Sequence, residues 1–156
     1  MSALYEIFKM DSRLFLNCLE GMSEDQARWR PSAATNHAAF IAVHMVDARH
    51  YLAKLVGLAL DYPFEEAVRA AKSIDDLRSW PSVDQLRTAW KAVTGELRER
   101  FKQLGPDDLA KPVETRFPVE SRTVLGVTAF LMQHEAYHLG MLSLLRKQVG
   151  LPAMGY

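Results

Sequence analysis

The 156-residue chain has a single cysteine, Cys18, so no disulfide can form within it and packing must supply its stability. Cys18 reads as a small apolar residue of a helix core, and such sparing cysteine usage fits a reducing compartment. Net charge is also lacking, because 19 Lys and Arg balance 19 Asp and Glu. Without a positive field the chain is a poor candidate for nucleic-acid binding. Nowhere do about 18 consecutive apolar residues occur, which excludes a hydrophobic spanning helix. Glu6, Lys9, Asp11 and Arg13 interrupt the first fifteen residues, so no signal-peptide stretch is seen there. The expectation is a cytoplasmic protein with neither membrane nor nucleic acid as a partner. Internal repeats, low-complexity segments and alternating strand patterns are missing as well.

What is present is an ordinary globular composition, 49% apolar and 24% charged. A core of this size buries roughly 70% of the surface of the unfolded chain, so one domain over residues 1–156 is expected. Four long helices account for most of it. Ser2 can cap a first helix to about residue 20, with Leu4, Ile7, Phe8, Leu14 and Cys18 near helical spacing and Gly21 at its end. After a polar turn over residues 22–30 and Pro31, Thr35 or Asn36 can cap a second helix that reaches about Val56 and stops at Gly57. Its inward stripe is read as Phe40, Ile41, His44, Ala48, Tyr51 and Leu55.

A connection over residues 58–81 follows, with a short helix expected in 64–72 and a further turn in 73–77. Ser82 and Gln85 have capping-box spacing and open a third helix carrying Leu86, Trp90, Val93, Leu97, Phe101 and Leu104, up to Gly105-Pro106. Gly95 sits inside it. Residues 107–120 hold Pro112 and Pro118 and read as a crossing segment over one end of the bundle. The fourth helix starts near Ser121 or Thr123 and runs to Val149, before Gly150 and Pro152. The fold class is therefore all-α, a four-helix bundle with a long crossover connection.

His134-Glu135-Ala136-Tyr137-His138 places two imidazoles one turn apart on one helix face. Val127, Leu131, Met141, Leu142 and Leu145 share that face, so the histidines interrupt a stripe expected to point inward. Each buried ring has a donor and an acceptor nitrogen to satisfy, and a shared cation would satisfy the acceptors. The string also matches the His-Glu-x-x-His pattern of zinc peptidases. Those enzymes take a third ligand downstream, yet residues 139–156 contain no His, Asp or Glu. The third ligand must come from upstream. His44 is the best candidate, since it too interrupts an apolar stripe, roughly 12 Å into its helix, while His134 lies roughly 17 Å into its own. The alternative is a set of buried histidines paired to one another or to the backbone. His37 lies too far along the axis to share the ion and reads as a polar residue of the first turn, with substrate contact at the pocket mouth as the alternative. His50 reads as a surface or partner-facing residue, and Glu135 as a surface charge by default, with contact to a ligand imidazole as its alternative. Asp47 is either a solvent-facing charge or an acceptor for an imidazole N–H.

At these residues the chain resembles the DinB/YfiT-like superfamily. The resemblance spans nearly the whole length: Arg28-Trp29-Arg30-Pro31, the segment from Asn36 through His44 to Tyr51, Leu104-Gly105-Pro106-Asp107-Asp108-Leu109, and most specifically Gln133-His134-Glu135-Ala136-Tyr137-His138-Leu139-Gly140. It implies a four-helix bundle whose metal ligands fall on His44, His134 and His138. Leu139 and Met141 stand where members often carry Arg and Gln, so polar contacts attributed to those two are not expected here. The native ion is open among Zn, Ni, Mn and Fe, because imidazole ligands alone do not select one.

Three histidines leave positions for water or substrate, the pattern of a catalytic site. The resemblance implies a metal-dependent transfer of a low-molecular-weight thiol onto an electrophilic small-molecule substrate. Metal-dependent hydrolysis and a non-catalytic metal-binding bundle are the alternatives, and no catalytic side chain is assigned. Tyr51, Tyr137 and Trp90 are candidate pocket walls. A homodimer is expected by analogy.

Overall fold

The structure is a computed structural model and describes residues 2–70, 74 and 80–155. Four long helices dominate it: α1 (Ser2–Leu19), α3 (Ala38–Leu55), α5 (Val83–Gln103) and α7 (Val124–Gln148). Three short ones join them: α2 (Glu24–Arg28), α4 (Glu65–Ala70) and α6 (Pro106–Ala110). The bundle architecture expected from the sequence is the one seen. The turn expected over residues 73–77 lies outside the described residues except for Ile74.

Helix ends follow local chemistry. Ser82 accepts from the Gln85 backbone N–H while Gln85 accepts from the Ser82 N–H, closing the anticipated capping box. Thr123 caps α7 by accepting from Gly126 N. Gly57 and Gly150, with φ of 87° and 83°, take the left-handed conformation just beyond the two helices that bear the histidines. The second long helix differs from expectation. Its cap is His37, whose Nδ1 accepts from Phe40 N at 2.9 Å, and neither Thr35 nor Asn36 takes that place. The polar turn after α1 contains α2, opened by a second capping box, Ser23 with Gln26. The crossing segment contains α6, followed by an isolated antiparallel bridge between Pro112 and Thr123.

Each long helix packs on two others: α1 on α5 and α7, and α3 on α5 and α7. The cyclic order is therefore α1, α5, α3, α7, with α1 opposite α3 and α5 opposite α7. Going from α1 to α3, or from α5 to α7, means crossing a diagonal, whereas the longest connection, over residues 56–82, joins the neighbours α3 and α5 and crosses none. The buried apolar side chains form two groups. One collects Phe15, Cys18, Ala42, Met45, Leu86, Trp90 and Leu142, and the other Phe8, Leu52, Val93, Leu97, Val127 and Leu131.

Between them lies a polar layer drawn from all four long helices: Asp11 and Ser12 of α1, Arg49 of α3, Thr94 of α5 and Glu135 of α7, all buried. Arg49 Nε and Nη2 donate to the two carboxylate oxygens of Glu135, each at 2.8 Å, and Nη1 donates to Ser12 Oγ at 2.9 Å and to Thr94 Oγ1. Its guanidinium carbon lies 3.6 Å from the Trp90 ring centroid. This layer corrects two readings. Glu135 is 1% exposed, so it is not a surface charge. The inward face of α3 runs through Ile41, Met45, Arg49, Leu52 and Val56, about one residue round from the stripe read from sequence, and Tyr51 is 40% exposed. Arg49 hid the true face, because a charged residue is not ordinarily counted as core.

Candidate metal centre

His44 projects from α3, and His134 and His138 from successive turns of α7, at the flank of the bundle near the polar layer. All three rings are half-buried. His134 Nε2 lies 2.9 Å from His44 Nε2 and 3.0 Å from His138 Nε2, and ligand atoms from the three residues all lie within 4.8 Å of one another. The helices thus bring together the three residues chosen from sequence. Among the described residues no other group of three His, Cys, Asp or Glu side chains is so arranged.

This geometry is hard to satisfy with hydrogen bonds alone. An imidazole nitrogen carries either one proton or one in-plane lone pair, so His134 Nε2 can make only one well-directed hydrogen bond to its two Nε2 neighbours. The other short contact is left without a hydrogen bond of its own. A cation removes the conflict by accepting all three lone pairs. Two nitrogens each about 2.1 Å from one ion would stand roughly 3.0 Å apart at a right angle and roughly 3.4 Å apart at the tetrahedral angle, and the two short spacings at His134 are near the first. The charge state agrees. Burial, followed by the like charges of His134 and His44, pushes the His138 pKa down to about 4. Burial lowers His44, and burial together with His44 lowers His134. All three rings are therefore neutral near pH 7, with lone pairs to give. Nδ1 of His134 and of His138 is buried with no hydrogen-bond partner among the described residues, so no carboxylate orients those rings.

An aromatic rim flanks the cluster. The Phe130 ring stacks 6.2 Å from His134, Phe117 stacks 4.7 Å from Phe130, and Tyr51 meets Phe117 edge-on at 5.4 Å. On the other side Tyr137, 63% exposed, lies 5.1 Å from His138. Phe117 and Phe130 are absent from the sequence reading. Phe130, one turn before His134, could have been found from the helical spacing, whereas Phe117 arrives from the Pro-rich crossing segment and leaves no such signal. Trp90 does not belong to this rim: it is fully buried, stacked 4.0 Å from Phe15 and against Arg49.

The remaining polar candidates lie elsewhere. Among the described residues Asp47 makes no hydrogen bond to a site imidazole, and burial raises its pKa. His50 is half-buried, its Nδ1 2.9 Å from Val46 O and its ring 4.8 Å from Tyr62, so it is not the surface residue expected. His37 packs its ring 4.5 Å from Trp80 besides capping α3.

The family model described as the DinB superfamily matches residues 8–142. A crystal structure of a DinB-like protein from Bacillus cereus is similar over 100% of this chain and 97% of its own, with TM-score 0.76 and 15% identity. Another, of a DinB-like protein from Bacillus subtilis, is similar over 99% of this chain and 96% of its own, with TM-score 0.70 and 16% identity. At such identities the two structures speak for the fold alone. No curated protein sequence matches.

Proposed function

The chain belongs to the DinB superfamily, and we propose that it holds one divalent ion on His44, His134 and His138 and uses it to transfer a low-molecular-weight thiol to an electrophilic small molecule. The observation that carries this reading is the convergence of three neutral imidazoles, two Nε2 contacts at 2.9 and 3.0 Å, in a half-buried setting. Half-burial leaves coordination positions that a substrate can reach. When bound, the ion favours the thiolate over the thiol and fixes its direction. The thiol sulfur bonds the electrophilic carbon, the leaving group departs with its bonding electrons, and the thiol proton passes to solvent. The side chains of Phe117 and Phe130, with Tyr51 against them, offer apolar faces that exclude water from one side of the reacting groups.

Hydrolysis is less favoured for a specific reason. It calls for a base beside the ion to take the proton of water. Glu135, the carboxylate nearest the ligands in sequence, is turned into the core and held by Arg49. Among the described residues no carboxylate joins the three histidines.

Two measurements test the reading. Elemental analysis of the purified wild type, His44→Ala and His138→Ala should find about one ion per chain in the first and a loss of most of it in both variants. Full retention in both would overturn the site. The loaded wild type, mixed with a chlorinated aromatic and each small cellular thiol in turn, should release chloride only when a thiol is present. Chloride release without thiol would favour hydrolysis, and none with any thiol would leave a metal-binding bundle without this activity.

A further inference from the structure

The helix order puts the α1–α5 seam on the face of the bundle opposite the α3–α7 face that bears the histidines. A cleft of about 300 Å³ lies in that seam. Its exposed rim carries Lys9 and Arg13 from α1 and Lys91 and Arg98 from α5, and none of its ten lining residues is acidic. In a chain with equal numbers of acids and bases, four cations without a carboxylate is a local excess of positive charge. Lys9 is paired with Glu6 at 2.7 Å, but Arg13, Lys91 and Arg98 have no ion pair among the described residues.

The buried floor is polar at Thr94. Its Oγ1 accepts from Arg49 Nη1, which leaves the hydroxyl proton to be donated, and Thr94 lines the cleft. Leu16 supplies an apolar portion of the lining, with the buried Trp90 behind it. Gly95 contributes by what it lacks. It stands in the interior of α5, where glycine disfavours helix, and a Cβ placed on it would meet nothing within 4 Å. No packing constraint accounts for it, and its missing side chain keeps the cleft open.

We propose that this cleft binds a small phosphate monoester. The phosphate would sit among Arg13, Lys91 and Arg98 and receive the Thr94 hydroxyl proton, while the organic part rests against Leu16. Three unpaired cations exceed what one carboxylate can neutralise. A phosphate monoester carries up to two negative charges and three terminal oxygens, and guanidinium groups bind such oxygens in pairs.

Isothermal titration calorimetry of the full chain at low ionic strength, with phenyl phosphate, inorganic phosphate and phenol as separate ligands, tests the site. Phenyl phosphate should bind one per chain, at least tenfold tighter than either other ligand. Both Arg13→Gln/Arg98→Gln, which removes charge, and Gly95→Leu, which fills the cleft, should weaken it at least tenfold. Arg116→Gln/Arg122→Gln, an equal charge change elsewhere, should alter it less than twofold. If Gly95→Leu does not fold, the charge variant decides alone. Absence of saturable binding, or binding that survives the cleft variants because the ester sits at the histidine cluster, would overturn the proposal. So would inorganic phosphate or phenol binding as tightly as the ester.

Discussion

Arg49 is the side chain on which most of the interior polar chemistry depends. It is fully buried and bonds Glu135 through both carboxylate oxygens, so neither charge is left uncompensated. Breaking such a pair from one side exposes the other partner's desolvation penalty, while replacing both sides with apolar groups does not. Arg49→Met should therefore lose about 3–5 kcal/mol in urea unfolding. Arg49→Met/Glu135→Leu should lose clearly less than the two single variants combined. Strict additivity would show that the pair is not coupled. Asp11 works in the same layer with a pH signature. Burial, and then the nearby Glu135 charge, raises its pKa from 3.8 to about 7, and Arg49 only partly opposes this. Between about pH 4 and 7 the folded chain keeps a proton that the unfolded chain releases, so stability falls as pH rises through that window. Asp11→Asn should have a higher Tm than wild type at pH 8 and the same Tm near pH 4. Equal Tm values at pH 8 would contradict the assignment. The depressed His138 pKa acts with the opposite sign: between about pH 4 and 6.5 the unfolded chain holds the extra proton, so in the metal-free chain this group destabilises the fold as pH drops.

Among the elements, α3 depends on an unusual cap. His37 Nδ1 takes the place of the Ser, Thr, Asp or Asn oxygen that normally accepts from the first turn. His37→Ala should cost about 1 kcal/mol, and His37→Asn should recover most of it, as read from guanidinium unfolding followed by circular dichroism. If both lose equally, the ring's packing on Trp80 matters more than the cap. Element boundaries were legible where a strong side-chain signal coincided with a long periodic segment, as at Ser82–Gln85 and Thr123. The same Ser-x-x-Gln spacing at Ser23–Gln26 is a weak signal by itself, because α2 is five residues long and has no periodicity to read. Gly105-Pro106 reads as the stop of one helix, yet Pro106 also begins α6, since proline is tolerated in a first turn.

At the level of the molecule, the three histidines tie α3 to α7, two helices brought together only by folding. An ion that binds this arrangement and not the open chain stabilises the fold by mass action, about 2.7 kcal/mol at a hundredfold excess over its Kd. Chelator-treated protein should gain several degrees in Tm on adding Zn²⁺, Ni²⁺ or Mn²⁺, whichever binds, and His44→Ala should gain much less. An equal gain in the variant would place the ion elsewhere. The four-helix architecture and the candidate ligands could be read directly from the chain, because helical periodicity and a four-residue histidine spacing are local, and the want of an acid or histidine after His138 pointed upstream to His44. Three-dimensional packing settled the rest: Glu135 turned inward because Arg49 arrives from another helix to neutralise it, α3 rotated to admit that arginine, and Phe117 entered the rim from a segment with no period of its own. Contacts between residues distant in sequence depend on how the helices are arranged, and no spacing along one helix encodes that arrangement.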